Sequence, residues 1–384
     1  MHPLLTEKHE NYRQQIRIFA ESEIKPIAGE LDEKNCFSAE ITKKMGKFGL
    51  FGITIPEQYG GKNLDTLSYI IAVEELARVD SSQSATVASH NSLGIGPVFQ
   101  FGTDKQKQEL LPGFCTGERL WAFGLTEETA GSDVRGTKTT AVLENGYWII
   151  NGSKLFITNS ASELSFGSTL QVVTGERDGV KELSVILVPR DTPGYKCERI
   201  LNKMLWRAAD TGKLQFINCR VPEENILGKR GMGARIMLKI LDSGRLAIAA
   251  MGLGLAQGAY EMALHYSRKR EQFGRPIGKN QAISFKLAEM DMKLELARNT
   301  LYKACVMKDR NQPFEHDAAI SKLYCSEIAK EIADQAVQIF GAYGLFKDNP
   351  IERFYRDQRI LQIGEGTSEI LKIVISKHLG LKNL

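Results

Sequence analysis

The hydrophobic positions of the chain change period twice. From Thr6 to about Gly117, apolar residues recur at three- and four-residue intervals in stretches such as NYRQQIRIFAESEIKPIAGEL and LSYIIAVEELARV, separated by Gly, Pro and Asp-Ser breaks. That spacing predicts amphipathic helices. Between about Arg119 and Pro222 the pattern becomes alternation, and Asn145-Gly146 and Asp178-Gly179 interrupt apolar runs as hairpin turns do. After Gly231 helical spacing returns over 247–270, 281–308 and 318–340. The expected fold is α+β: an N-terminal helical domain over residues 1–118, a central antiparallel β domain over 119–222 and a C-terminal helix bundle over 223–384. The order α, β, α excludes a doubly wound nucleotide-binding sheet, and no internal repeat or low-complexity tract interrupts it.

Composition narrows the class. A chain of 384 residues that is 42% apolar can bury a large core. Its 50 basic side chains against 46 acidic ones leave a net charge of only +4, which argues against nucleic acid as a partner. The most apolar stretch, Leu246 to Ala256, ends at Gln257, short of the roughly 18 residues that span a bilayer. The opening MHPLLTEKHENYRQQ lacks a basic flank leading into an apolar run, so a bacterial cytoplasmic protein is expected ahead of a processed mitochondrial one. Six scattered cysteines without a C-x-x-C pair predict reduced thiols in an intracellular protein and no metal site.

Four segments could carry chemistry. Leu125 to Asp133 (LTEETAGSD) follows an apolar strand and offers hydroxyls, small residues and free amides suited to a diphosphate, although Ser, Thr and Gly also fill ordinary capped loops. Gly152 to Asn159 could set Phe156 and Thr158 against a flat ring system, although an aromatic in a strand is usually core. Gln338 to Gly344 ends a long helix with small residues that admit a close backbone or cofactor, or simply cap the helix. Tyr355 to Glu369 puts Glu365 between Gly364 and Gly366, which leaves the carboxylate uncrowded and its peptide N–H accessible.

Together these segments resemble the acyl-CoA dehydrogenase family over almost the whole chain. The family's two signature stretches correspond to Gly124 through Asp133 and to Gln338 through Asp357, and Arg270-Glu271-Gln272-Phe273-Gly274-Arg275-Pro276 is similar to its arginine segment, which reaches flavin on a neighbouring subunit. The resemblance implies FAD as cofactor and a homo-oligomer, usually a tetramer. It implies that Phe123, Leu125, Thr126, Gly131, Ser132, Phe156, Thr158, Arg270, Phe273, Gln281, Gln338, Gly341, Thr367 and Glu369 form the FAD sites. It further implies that Ser132, Asp242, Arg245, Gly364 and Gly366 meet the acyl-CoA, although Asp242 and Arg245 taken alone read as a surface i,i+3 ion pair.

Some members of that family carry the catalytic base on the helix that here contains Leu241-Asp242-Ser243-Gly244-Arg245, where the corresponding residue is Gly244. Glu365 is then the candidate base, as in the short-chain, medium-chain and butyryl-type members. Three positions depart from the family's common residues: Glu128 stands for Pro, Phe156 for Trp and Gly364 for Tyr. Loss of a ring beside the base predicts a wider acyl pocket, suited to short, branched or alicyclic chains. The implied reaction removes an α-proton to Glu365 and a β-hydride to flavin, with the thioester carbonyl held by a flavin ribityl hydroxyl and the Glu365 N–H. An electron-transferring flavoprotein would reoxidise the flavin. An enoyl-CoA reductase and an acyl-CoA oxidase share this fold and site, and the peroxisomal type of oxidase is normally much longer. A non-catalytic scaffold is disfavoured by the retained Glu365 and Arg270.

Overall fold

The computed structural model describes residues 2–381. Seven α-helices precede the first strand: α1 (Glu7–Phe19), α2 (Lys25–Glu33), α3 (Ala39–Phe48), α4 (Thr66–Ala77), α5 (Ser81–Ser89), α6 (Gly96–Phe101) and α7 (Asp104–Cys115). Five begin at a side-chain cap, because Thr6, Ser38, Asp65, Asp80 and Thr103 each accept a hydrogen bond from the N–H three residues on. The first helical stretch is not one α-helix. Ala20–Ile24 winds as a π segment between α1 and α2, just before Pro26, whose ring and missing N–H disrupt regular α winding.

Helix α4 departs further from the amphipathic expectation, since all twelve of its residues are buried. It can carry two carboxylates inward because both are paired. Arg13 and Arg17 meet Glu75 at 2.8 and 2.9 Å, while Arg298 and the Tyr302 hydroxyl meet Glu74 at 3.2 and 2.5 Å.

The sheet follows: β1 (Leu120–Gly124), β2 (Thr140–Glu144), β3 (Tyr147–Thr158), β4 (Ser165–Arg177), β5 (Val180–Pro189), β6 (Tyr195–Arg199) and β7 (Thr211–Pro222). Its order is β1-β4-β2-β3-β7-β6, with β5 also on β4. Asn145-Gly146 joins β2 to β3 and Asp178-Gly179 joins β4 to β5, all four residues having positive φ as a tight hairpin turn requires. The purely antiparallel expectation is corrected: β1 and β2 each pair with β4 in parallel, so the sheet is mixed. Strand β1 enters from α7 and leaves through a long loop instead of a hairpin, and alternation along a strand carries no information about its partner's direction.

Helices return with α8 (Gly233–Lys269), which starts well before Ala247. A short hairpin, β8 (Glu271–Gln272) and β9 (Arg275–Pro276), leads to α9 (Gln281–Asp309), α10 (Glu315–Phe340), α11 (Ile351–Asp357) and α12 (Ser368–His378). The first and last helical regions share one core, in which Ile70, Val73 and Leu76 pack with Leu246, Leu253, Leu301 and Ile332. Helices α4 and α8 approach closely because Gly254 lies at their crossing, where a β-carbon would come within 2.1 Å of the Glu74 carbonyl. Among the described residues no helix is long and apolar enough to cross a membrane, and the six cysteines are unpaired.

Candidate active site

After α11 a 3₁₀ segment, Gln358–Gln362, brings the chain to a turn in which the Ile363 and Gly364 N–H groups both donate to the Ile360 carbonyl, at 2.9 and 2.8 Å. Glu365 and Gly366 then take left-handed conformations, φ 53° and 104°, before Thr367 caps α12. That conformation is costly for a glutamate and is tolerated where surrounding structure enforces it. Among the described residues no acceptor takes the Glu365 N–H. The Glu365 residue is partly open, yet its Oε2 is sealed from solvent without a hydrogen-bond partner. Burial pushes the carboxyl up to about 7, against the pull of Lys322 and Arg245.

The carboxylate lies against α8. A β-carbon built on Gly244 would fall 1.8 Å from Glu365 Oε2 and 3.3 Å from Leu93 Cδ2. The two placements of a base weighed from the sequence therefore converge on one volume, and Gly244 leaves that volume free for Glu365. Asp242 and Arg245 pair at 2.6 Å on the same helix, with Arg245 buried and its Nε unpartnered. Gly364 has room beside it, since the nearest atoms a β-carbon there would meet belong to Ile360, at 3.5–3.9 Å, ordinary van der Waals contact.

The flavin-side candidates fall into groups. Phe123 and Leu125 are buried around the end of β1, Thr126 and Thr158 are half-buried, and Gly131 and Ser132 are exposed in the loop beyond. Phe156 has φ 61° and is 64% exposed, an apolar ring held out into solvent. Open hydroxyls and amides beside an uncovered ring fit a diphosphate and a flat ring system. Thr367 and Glu369 belong to the start of α12. Arg270, Phe273, Gln281, Gln338 and Gly341 lie elsewhere, around the ends of α8 and α10: Tyr266 stacks on Phe340 at 4.3 Å and Arg270 lies 5.5 Å from the Tyr343 ring. Among the described residues no hydrogen bond, ion pair or ring contact joins this last group to the β-sheet group. Phe273, at the hairpin tip, is 98% exposed.

Two buried lysines emerge that the sequence reading passed over. Lys154 lies beneath the Thr126–Ser132 loop, where its Nζ meets Glu127 at 2.7 Å and the Leu125 carbonyl at 3.3 Å. Glu127 also accepts from the Lys138 and Thr139 amides and the Thr139 hydroxyl, so one carboxylate ties the loop to the residues leading into β2 and to β3. Lys322 donates to the Gly366 carbonyl. Its signal was available, because it interrupts an otherwise small and apolar stripe of α10 that includes Ala318, Cys325, Ala329 and Ile332.

Sequence models of the acyl-CoA dehydrogenase N-terminal, middle and C-terminal domains match residues 6–118, 122–219 and 231–380. The chain belongs to the acyl-CoA dehydrogenase family: it is an oxidoreductase acting on a CH–CH bond, with FAD as cofactor. It is 43% identical over 372 residues to a short-chain specific acyl-CoA dehydrogenase of Clostridium acetobutylicum, covering 97% of this chain and 98% of that one. Its fold matches butyryl-CoA dehydrogenase of Megasphaera elsdenii with TM-score 0.94 and 38% identity over 98% of both chains. It also matches a chain in a structure described as the electron transferring flavoprotein of Acidaminococcus fermentans, with TM-score 0.96, 41% identity and full coverage of both.

Proposed function

We propose that this protein performs α,β-dehydrogenation of a short, branched or alicyclic acyl-CoA, with Glu365 as the base that removes the α-proton. The observation that carries the reading is the buried Glu365 Oε2, unpartnered among the described residues in a turn whose Glu365 N–H likewise meets no acceptor among them. An α-proton of a thioester is too weakly acidic for a carboxylate in water. A carboxyl raised to about 7 by burial is better matched to the task. The free Glu365 N–H can donate to the thioester carbonyl, stabilising charge that develops there as the proton leaves. Arg245 and Lys322 favour the anionic form of the base. FAD, when bound, supplies the acceptor for the β-hydride.

Thr126, Gly131, Ser132, Phe156, Thr158, Thr367 and Glu369 are assigned to holding that FAD. Arg270, Phe273, Gln281, Gln338 and Gly341 are assigned to the flavin of a second copy, since they sit apart from the first group and Phe273 stands uncovered. A homo-oligomer is the assembly this implies, and the family resemblance points to a tetramer. An electron-transferring flavoprotein is the proposed acceptor, and the Acidaminococcus likeness supports it. Bacterial relatives at 43% identity support a cytoplasmic location. The short-chain and butyryl relatives support a short acyl chain, and the room beside Gly364 supports branching or a compact ring. The test is anaerobic bleaching of the bound flavin by butyryl-, isobutyryl-, cyclohexanecarboxyl- and octanoyl-CoA. Bleaching by the compact thioesters is expected. A clear octanoyl preference overturns the substrate reading, and bleaching by none overturns the activity.

A further inference from the structure

Lys322 is fully buried on α10. A buried ammonium is costly unless paired, and here the pairing is sparse. Its Nζ donates to the Gly366 carbonyl at 2.5 Å, and among the described residues no other hydrogen bond or ion pair engages it. That carbonyl belongs to the turn that holds Glu365. The same helix grips the turn's two ends by other means: Ser326 Oγ shares its proton between the Lys322 and Leu361 carbonyls at 2.7 and 2.8 Å, and Glu327 accepts from Gln362 Nε2 and Ser368 Oγ at 2.8 and 2.7 Å. Only the Lys322 Nζ contact falls beside the carboxylate.

The charged and titratable groups facing Glu365 are Arg245 from α8, Tyr69 from α4 and Lys322 from α10, while Lys322 also faces Arg245, Glu327 and Glu369. Arg245 already has Asp242 as its partner at 2.6 Å, and Glu327 is engaged by Gln362 and Ser368. Among the described residues Lys322 has no carboxylate in contact. We infer that Lys322 is a positioning residue for the reaction: it pins the Gly366 carbonyl so that Glu365 keeps its left-handed turn, and it supplies the counter-charge of the Glu365 carboxylate. Burial pushes Lys322 down to about 8, so the ammonium persists at neutral pH. The inference rests on Glu365 being the base.

The experiment titrates the Glu365 carboxyl in the FAD-loaded protein by difference infrared spectroscopy, without substrate, the band being identified by its loss in Glu365→Gln. Lys322→Met removes both charge and donor, whereas Lys322→Gln keeps an N–H for the Gly366 carbonyl and removes only the charge. In both the midpoint should rise by roughly one pH unit or more, and Lys322→Arg should restore it. Flavin reduction by butyryl-CoA should fall about fivefold or more at pH 7 in the Gln variant and recover as the pH is raised. An unmoved midpoint in both variants, or a loss of rate that is the same at every pH, overturns the proposal. The outcomes separate from those of the functional reading: were Glu365 not the base, Glu365→Gln would still reduce flavin, while the infrared midpoint would still report on Lys322.

Discussion

Gly244→Ala offers an unusual test, because one methyl should harm catalysis while leaving or improving the fold. The substitution lies inside α8, where replacing Gly by Ala ordinarily stabilises a helix by about 0.5–1 kcal/mol. The added β-carbon would stand 1.8 Å from Glu365 Oε2 and 2.9 Å from its Cδ. Ordinary non-bonded separations are about 3.5 Å, so the carboxylate must retreat by roughly 1.5 Å. Backbone on either side cannot easily follow, because Lys322 holds the Gly366 carbonyl and Ile360 holds the Gly364 N–H. A displacement of about 1 Å at the reacting groups can cost on the order of 10²-fold. The assay is stopped-flow anaerobic flavin reduction by butyryl-CoA, read beside flavin content and melting temperature. The expected result is a large loss of rate with full FAD and an equal or higher melting temperature. A rate close to wild type would refute the placement of Glu365 against α8, and a collapse of stability would refute the packing argument.

Three further outcomes follow from the site. Because burial holds the Glu365 carboxyl near 7, the base is protonated below that pH, and flavin reduction should fall roughly tenfold per pH unit on the acid side; a flat profile from pH 5 to 8 contradicts this. Gly364→Tyr should selectively cut kcat/KM for isobutyryl- and cyclohexanecarboxyl-CoA while sparing butyryl-CoA, by around tenfold if the ring displaces two buried methylenes' worth of contact; equal losses across the panel would show that the space beside Gly364 is not used. Glu127→Gln strands the buried Lys154 ammonium and loosens the Thr126–Ser132 loop, so stability should drop by about 3–5 kcal/mol and FAD should be lost on gel filtration; unchanged melting and flavin content would remove Glu127 as the loop's anchor.

The features legible in the sequence are those written in local pattern. Period changes marked the helical, sheet and helical regions, the Asn-Gly and Asp-Gly pairs marked two hairpins, and Glu365 between two glycines marked a carboxylate in an unusual turn. What the pattern could not carry were relations between distant segments. The parallel pairing of β1 and β2 with β4 depends on a crossover, not on alternation. The burial of α4 on every side depends on partners such as Arg298 and Tyr302 that arrive from α9. Lys154 shows its partner only once the fold places it beneath Glu127, and Lys322, though it interrupts an apolar stripe of α10, gives no hint from sequence that it meets Gly366. The π segment before Pro26 conceals itself for a different reason, since its five residues are as helix-compatible as their neighbours.

Glu365→Gln is the sharpest probe of Glu365 as the base, because the amide keeps the shape of the side chain and cannot accept the α-proton. The measurement is single-turnover reduction of the bound flavin by butyryl-CoA under anaerobic conditions, with FAD content and thioester binding checked on the same sample. Full FAD, retained binding and a rate lower by about 10²–10⁴-fold are expected. Flavin reduction at the wild-type rate would contradict Glu365 as the base.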